Sequence, residues 1–291
     1  MIIDATIIDG KAIAAEIRKE IKIEIQKLGI IPSLRVITIG NDPASQVYVN
    51  KKIEACEEVG IKASQIFATS YTLLKQIEFL NEDNKVHAYI LQLPLPKEMN
   101  PLNYFSKFNP LKDVDVFHPE NVGLLVQGRP RFKPCTPHGI QIMLNRSGIK
   151  VAGKNVVVIN RSNVVGKPLS SMLIQECPEY ANATVTVCHD HTPPNLLKSL
   201  CLEADIVIVA VGKPGFLTAD MVNSNQIVVD VGINRIYTTE GKMKIVGDVA
   251  DGVKDIVKAI SPVPGGVGPL TVACLLKNTL KACQMQMGLN G

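Results

Sequence analysis

The chain has 291 residues, of which 46% are hydrophobic and 20% charged, a composition typical of a folded protein with one large or two medium domains. The formal net charge of +4 is spread along the chain, and the densest basic cluster (Gly128 to Lys133) lacks the interleaved aromatic residues of single-strand binders, so we expect no nucleic-acid partner. The N-terminal sequence has acidic residues where a signal peptide is basic, and no stretch reaches the ~20 apolar residues that span a bilayer, so we expect a cytoplasmic protein without a membrane partner.

The first part of the chain alternates between helical and strand patterns. Apolar residues at helical spacing predict a helix from Ile13 to Leu28, and Ser33 to Gly40 reads as a strand. Further helices are predicted at about 45–59 and 73–80, and further strands at 61–68 and 86–94. This alternation predicts an α/β fold with parallel strands and right-handed crossovers.

The periodicity weakens between Pro94 and Pro137, which indicates either a linker or a site. Alternation resumes with a helix after Thr136, where Thr136 suits an N-cap and Pro137 the first helical turn. Four more strands are predicted at 154–160, 183–189, 204–212 and 226–234, and a final helix runs from Pro269 to about Met287.

The first strand of this second set runs into a polar turn and a helix, as in a dinucleotide-binding crossover. The G-x-G-x-x-G fingerprint is incomplete, because Asn160 stands where its first glycine is expected, and Gly166 remains with Pro168 in the first helical turn. The turn alone is equally compatible with a nucleotide site and with an ordinary strand-to-helix connection. Arg161 and Ser162 favour an anion beside the helix N-terminus.

The next strand ends in CHDHT, Cys188 to Thr192. On an extended strand His189 and His191 would project to the same side, but no further ligands stand at motif spacing, so a polar strand end is favoured over a metal site. Asp190 lies where an acidic residue typically binds the adenosine ribose.

Two loops carry further candidates. Asp113 and Asp115 are two residues apart in KDVDVF, a spacing found in metal sites, ligand-binding loops and solvated turns alike. PVPGGVGP, Pro262 to Pro269, is a glycine-rich loop between prolines, which favours close approach of the backbone to a ligand over a purely structural turn.

Seven motifs are spread along the chain, and the resemblance that they carry covers nearly the whole of it: SQVYVNKK (45–52), LQLPLP (91–96), KDVDVF (112–117), NRSNVVGKP (160–168), DVGIN (230–234), VGDV (246–249) and SPVPGGVGPLTVA (261–273). In order and spacing they resemble the bifunctional methylenetetrahydrofolate dehydrogenase/methenyltetrahydrofolate cyclohydrolase family. The resemblance implies an α/β fold of two domains with the active cleft between them. Residues 1–137, completed by the C-terminal helix 269–291, would bind folate, and residues 138–268 would form a Rossmann-like NAD(P)-binding domain. It also implies a homodimer formed through the nucleotide-binding domain, and no metal.

The resemblance assigns catalytic and folate-binding roles to four side chains. Lys52 would be the catalytic group, Tyr48 would pack against the pterin, Gln92 would hold the lysine, and Asp115 would bind the pterin nitrogens. Residues i and i+4 of a helix share a face, so Tyr48 and Lys52 can meet one ligand. The implied folate contacts also include Leu93, Pro264, Gly265, Gly266, Val267 and Gly268. The cofactor contacts would be Asn160, Arg161, Ser162, Gly166, Pro168, Asp190 and Ile233.

Three positions depart from the family pattern: Val116 and Asn160 replace glycines, and Asp190 replaces a serine. Arg161 and Ser162 favour the 2′-phosphate of NADP, whereas Asp190 would repel it. We expect NADP, with NAD possible because of Asp190.

The implied reaction is oxidation of 5,10-methylenetetrahydrofolate with NAD(P)⁺, followed by hydrolysis of the 5,10-methenyl product to 10-formyltetrahydrofolate. The alternatives are a dehydrogenase without the second activity, a different oxidoreductase resembling shikimate dehydrogenase, and a folate- or nucleotide-binding protein without turnover.

Overall fold

The computed structural model describes residues 5–40, 42–177, 179–237 and 241–289. It divides the chain into two units, and we name them after their sheets. The six-stranded unit comprises residues 1–14 and 136–271, and the three-stranded unit comprises residues 15–135 and 272–291. The first four residues of the predicted folate domain lie outside the described residues.

In chain order the elements are β1 (Thr6–Ile7), α1 (Gly10–Leu28), β2 (Ser33–Ile39), α2 (Pro43–Val59), β3 (Lys62–Ala68), α3 (Leu73–Glu82), β4 (Ala88–Leu91), α4 (Leu102–Phe105), α5 (Pro119–Val126), α6 (Cys135–Arg146), β5 (Asn155–Ile159), α7 (Gly166–Leu173), β6 (Thr184–Cys188), α8 (Pro194–Glu203), β7 (Ile206–Val209), β8 (Ile227–Asp230), β9 (Asn234–Tyr237), β10 (Met243–Val246), β11 (Ala259–Ile260) and α9 (Val267–Gln286). The predicted α/β class with parallel sheets is confirmed.

In the three-stranded unit β2 lies between β3 and β4, and both pairings are parallel. A core cluster beneath this sheet includes Ile37 of β2, Tyr89 and Leu91 of β4, and Ile77 of α3. The C-terminal helix α9 returns to this unit, as predicted: the buried Asn278 amide donates to the carbonyl oxygens of Val114 and Lys133, each at 2.8 Å.

In the six-stranded unit the strand order is β1-β11-β8-β7-β5-β6, with every pairing parallel. The strands β6 and β7 lie on opposite sides of β5, so the strand order reverses at β5. In open parallel sheets, ligands bind beyond the carboxyl ends of the strands at such a reversal. The loops that follow β5 and β7 are therefore where this unit offers a binding site.

Four strands and one cap departed from the sequence predictions. The strands β1 and β11 have two residues each, too few to show a period; β1 pairs with β11, and β11 also pairs with β8. The β9–β10 hairpin was not predicted either. Thr136 is not an N-cap, because α6 already begins at Cys135, and its hydroxyl lies 3.0 Å from the hydroxyl of Thr271 instead.

Neither membrane spans nor disulfides occur among the described residues. No helix in that part of the chain is long and apolar enough to cross a membrane. The seven cysteines are all unpaired, and six of them are buried.

Candidate active site

The helix α2 carries Tyr48 and Lys52 on one face of the three-stranded unit. The Asp42 side chain caps the helix, accepting from the Ser45 N–H at 2.8 Å, and Pro43 opens its first turn. Val49 and Cys56 are fully buried, which fixes the rotation of the helix. Tyr48 and Lys52 are left half-buried, as a ligand-binding face requires.

Lys52 meets Gln92 just beyond the end of β4. The Lys52 Nζ donates to Gln92 Oε1 at 2.9 Å. Gln92 is held at its side chain and at its backbone, because its Nε2 donates to the Leu93 carbonyl at 2.7 Å and its backbone N–H donates to the Ile37 carbonyl of β2 at 2.8 Å. The Gln92 oxygen is thereby directed at the lysine.

The position of Lys52 favours its neutral amine. Burial lowers the pKa of Lys52, and the Asp115 carboxylate offsets part of this effect because it favours the ammonium. The lysine therefore combines a hydrogen bond to a neutral amide with a nearby carboxylate, an arrangement suited to a group that exchanges protons.

The KDVDVF segment is fixed by buried polar groups. Its backbone pairs with β4 through Tyr89 and Asp113. The buried Lys112 ammonium donates to the carbonyls of Leu80 and Asp83 at the end of α3, at 2.8 and 2.9 Å. The buried Asp113 carboxylate accepts from the N–H groups of Phe117 and His118, at 3.2 and 2.8 Å.

The same carboxylate also accepts from the side-chain amide of Asn121 at 2.9 Å. Asp113 thus has an internal structural role, whereas Asp115 is half-buried and acts electrostatically on Lys52. The spacing alone did not distinguish the two aspartates, and the structure gives them different surroundings.

Val116 follows Asp115 with a backbone φ of 66°, in the left-handed region that favours glycine. Its side chain is only 3% exposed. A β-branched residue is strained in this conformation, so the loop beyond Asp115 keeps a glycine-like path although it lacks the glycine.

Sequence reasoning missed Cys135, whose thiol lies near Asp115 and Lys52. Its Sγ is 3.6 Å from the Val114 carbonyl, and burial, with the Asp115 carboxylate next, raises the pKa of the thiol well above its usual value. A single cysteine between two prolines, in KPCTP, gives no sequence signal for such a position.

In the six-stranded unit, Asn160 organises the turn between β5 and α7. Its Oδ1 accepts from the N–H groups of Ser162 and Gly166, each at 2.8 Å, and its Nδ2 donates to the Ala210 carbonyl in the loop after β7. A Cβ at Gly166 would approach the Asn160 carbonyl oxygen to 2.0 Å, so Gly166 is required for this packing. With the buried Pro168, these residues shape the turn.

Arg161 is paired with Asp190. Its Nη2 donates to Asp190 Oδ1 at 2.5 Å, and the two side chains are 48% and 66% exposed. The structure therefore brings the candidate phosphate-binding guanidinium and the carboxylate that departs from the family pattern into direct contact.

The CHDHT histidines do not lie on an extended strand. The strand β6 ends at Cys188, and the chain turns so that the His191 N–H donates to His189 Nδ1 at 3.2 Å. No group of three or more His, Cys, Asp or Glu side chains suited to a metal occurs among the described residues.

The loop from Pro264 to Gly268 adjoins Ile233 within the six-stranded unit. A Cβ at Gly268 would lie 3.7 Å from Ile233 Cδ1. A Cβ at Gly266 would meet the Pro262 carbonyl oxygen at 2.6 Å, and Gly265 has a φ of 110°, so both positions require glycine. The helix α9 already begins at Val267, inside the predicted loop.

Comparison with known proteins identifies the family. Residues 8–115 match the tetrahydrofolate dehydrogenase/cyclohydrolase catalytic domain, and residues 134–287 match the NAD(P)-binding domain of the same family. The chain belongs to the tetrahydrofolate dehydrogenase/cyclohydrolase family.

Full-length relatives and solved structures agree with this assignment. The chain is 47% identical to the bifunctional protein FolD of Geotalea daltonii, over 96% of this chain and 99% of the relative. A FolD crystal structure from Campylobacter jejuni is 43% identical and superposes with a TM-score of 0.89 over 97% of this chain and 99% of that one. A FolD structure from Trypanosoma brucei, complexed with NADP cofactor and inhibitor, is 34% identical with a TM-score of 0.90, over 97% and 98% of the two chains.

Within this family framework, Val116 offers a direct test of backbone strain. Val116→Gly loses buried apolar surface and adds chain entropy to the unfolded state, but it relieves a left-handed conformation that costs about 1–3 kcal/mol. We expect the free energy of unfolding to stay within about 1 kcal/mol of wild type.

Val114→Gly is the matched control, because Val114 is equally buried two residues away and has no positive φ. It should cost at least about 2 kcal/mol. Urea unfolding followed by circular dichroism measures both, and equal losses at the two positions would contradict a strained Val116.

Proposed function

We propose that this protein oxidises 5,10-methylenetetrahydrofolate with NAD(P)⁺ and hydrolyses the 5,10-methenyl product to 10-formyltetrahydrofolate, as an enzyme of one-carbon metabolism in the cytoplasm. The observation that carries the proposal is the Lys52–Gln92 pair at 2.9 Å, with the pKa of Lys52 lowered by burial, in the segment that matches the catalytic domain. A protein that only binds folate has no need of such a lysine.

Lys52 is the proposed proton acceptor in the hydrolysis. The methenyl substrate is a cation, and a cation beside Lys52 disfavours the ammonium further, in the same direction as burial. The neutral amine then takes a proton from the water that attacks the methenyl carbon, and the lysine returns a proton to N5 as the bond between N5 and that carbon breaks to leave the 10-formyl group. Gln92 keeps the Lys52 nitrogen in position while the lysine gains and loses its proton, because the Gln92 amide is itself anchored to the Leu93 carbonyl.

Tyr48, Leu93 and Asp115 are the proposed binding groups around the lysine. Tyr48 shares the helical face of Lys52 and offers its ring to the flat pterin. The half-buried Asp115 carboxylate is suited to accept hydrogen bonds from pterin nitrogens, which aligns the reacting carbon. The loop from Pro264 to Gly268 is the proposed folate contact of the six-stranded unit.

The six-stranded unit fits a nicotinamide dinucleotide. The turn held by Asn160 lies at the reversal of strand order, and Arg161 and Ser162 stand beside the N-terminus of α7 with Gly166 and Pro168 in its first turn. When bound, NAD(P)⁺ supplies the hydride acceptor. The protein residues bind and orient it, with Arg161 and Asp190 at the adenosine side and Ile233 at the nicotinamide side.

We propose NADP as the preferred cofactor. The Arg161–Asp190 pair is exposed on both sides, and exposed ion pairs contribute little to stability. A dianionic 2′-phosphate with several acceptor oxygens is a stronger partner for a guanidinium than one carboxylate, so it can displace Asp190 toward solvent.

We also propose a homodimer. The strand β6 forms one edge of the six-stranded sheet, and Val187 on it and Ile174 just beyond α7 are exposed apolar residues. An uncovered edge strand with apolar side chains is a site for pairing with another chain. This supports association through the nucleotide-binding unit.

Lys52→Met tests the catalytic role. The substitution keeps much of the stem and removes the amine, so cyclohydrolase turnover should fall about a hundredfold to ten-thousandfold, with a smaller effect on the dehydrogenase. Lys51→Met, on the exposed side of the same helix, is the control and should leave both rates unchanged. Methenyl hydrolysis within a few-fold of wild type in the Lys52 variant would eliminate Lys52 as the base.

Asp190→Ser tests cofactor choice. Removing the carboxylate frees Arg161 and removes a repulsive charge, so the ratio of kcat/KM with NADP to that with NAD should rise. Asp220→Asn, which changes another exposed ion-paired aspartate of this unit, should leave the ratio unchanged. A wild-type kcat/KM about tenfold or more higher with NAD would reverse the proposed preference.

Light scattering tests the dimer. We expect a mass twice the 31.6 kDa of one chain, and a monomer mass for Val187→Glu because it places a charge on the edge strand. Ile31→Glu, at an exposed apolar residue of the other unit, should stay dimeric. A monomer mass for the wild type would end this proposal.

A further inference from the structure

Asp248 is a fully buried carboxylate with no part in the chemistry described above. It is 0% exposed and follows β10 by two residues, in the VGDV segment. A charge without solvent is costly unless hydrogen bonds satisfy it, so its partners indicate its function.

Those partners are consecutive backbone groups of one loop. Asp248 Oδ2 accepts from the N–H groups of Val211 and Gly212, at 2.6 and 2.9 Å, and Oδ1 accepts from the N–H of Lys213 at 2.9 Å. This loop follows β7, beside the reversal of strand order. Its N–H groups turn inward to the carboxylate, while Gly212 and Lys213 remain exposed on the outside.

The same carboxylate holds a second loop. Asp248 Oδ1 also accepts from Asn234 Nδ2 at 2.8 Å, and the preceding residue, Ile233, is 44% exposed. On its other side, the Gly232 N–H donates to Asp230 Oδ1 at 2.9 Å. The exposed Ile233 is therefore bracketed by two residues that are anchored to buried carboxylates.

Asp230 in turn fixes Asp248. Its Oδ1 accepts from the Asp248 N–H at 2.9 Å, and its Oδ2 accepts from the Val249 N–H at 3.0 Å. There is no room for any side chain at the facing glycines, because a Cβ at Gly232 would lie 2.3 Å from Asp248 and one at Gly247 would lie 1.7 Å from Asp230. The DVGIN and VGDV segments thus form one interlocked unit.

We propose that Asp248 is a positioning residue for the cofactor, which holds residues 211–213 and the segment around Ile233 in the conformation that receives the nicotinamide half. The proposal rests on the proposed function, because it takes NAD(P) as the ligand of these loops. Asp248 touches neither substrate nor cofactor, and it acts through the backbone that it orders.

Asp248→Asn is a nearly isosteric test. Each Asp248 oxygen accepts two hydrogen bonds, so whichever way an asparagine amide is turned, its NH₂ group faces N–H donors. The loop must then move away from the conformation that the carboxylate imposes.

The first measurement is backbone amide exchange without cofactor. The wild-type N–H groups of Val211, Gly212 and Lys213 should exchange slowly although they lie in a surface loop, and in Asp248→Asn they should exchange about tenfold to hundredfold faster, the effect of losing hydrogen bonds to a charged group. Amides of the β5 and β8 core should keep their protection if the variant is folded.

The second measurement separates cofactor binding from general damage. Calorimetry should show a weaker Kd for NADP in Asp248→Asn, and the dehydrogenase kcat/KM should fall about tenfold to hundredfold. Cyclohydrolase activity should stay within about threefold of wild type, because Lys52 and Gln92 lie in the other unit. Asp220→Asn is the control at an exposed aspartate and should match wild type throughout.

If Asp248→Asn does not fold, Asn234→Ala replaces it in the binding test. It removes one donor to Asp248 and releases the segment around Ile233 without leaving an unpaired buried amide. It should weaken NADP binding and spare cyclohydrolase activity.

Three results would overturn the proposal. They are unchanged exchange of the 211–213 amides in a folded Asp248→Asn, an unchanged NADP Kd in Asp248→Asn or its substitute, and equal loss of both activities in a variant whose core amides keep their protection. A wild-type protein that binds neither NADP nor NAD would instead overturn the proposed function, and this inference with it.

Discussion

The loops that follow parallel strands contain backbone N–H groups outside the regular pairing of the sheet, and both units supply side-chain oxygens as acceptors for several of them. Asp113 accepts from N–H groups of the segment that follows it, Asn160 from those of the turn after β5, and Asp248 from those of the loop after β7. Each oxygen-bearing group accepts from more than one N–H group. The loops therefore have a defined backbone without regular secondary structure, and their neighbouring side chains are directed outward.

Two lysines differ in what surrounds their amines, and the difference separates a structural cation from the proposed catalytic lysine. Burial lowers the pKa of both Lys112 and Lys52. Lys112 donates to two carbonyls at the C-terminal end of α3, where the helix dipole also favours a cation. Lys52 donates to a single amide oxygen, that of Gln92. Deprotonation would therefore weaken two hydrogen bonds and a helix-end interaction of Lys112, but only one hydrogen bond to a side-chain amide at Lys52.

Sequence reasoning predicted those parts of the fold that repeat locally. The period of α1 and α2 and the apolar runs of β2, β5 and β7 were sufficient, because each element buries one face or both. The sequence did not predict which distant segments pair, because nothing in the two residues of β1 indicates β11 as a neighbour. Lys52 and Gln92 were picked out by the order of the motifs in the sequence. Their contact depends on where β4 ends relative to α2.

One physical reason explains why sequence reasoning gave no role to some of the buried residues. Asp248 and Asp230 bind backbone N–H groups, which every residue except proline carries, so no partner type appears in the sequence to match them. Only the adjacent glycines in DVGIN and VGDV reflect the close packing. Likewise, the turn after Cys188 brings Asp190 to Arg161, a contact that a strand extended through the CHDHT segment does not predict.

Asn160 and Asp190, which replace a glycine and a serine of the family pattern, both affect the groups available to bind an anion. Asn160 already satisfies the first N–H of α7, so the helix end offers less to a phosphate than a glycine turn would, and the burden of anion binding moves to the Arg161 guanidinium. Asp190 occupies that guanidinium. Under the proposed function, cofactor choice in this chain becomes a competition between a phosphate and a carboxylate for one cation. Because the pair is exposed, added salt screens it together with the attraction that draws in the phosphate, so the outcome depends on the geometry of the contacts more than on net charge.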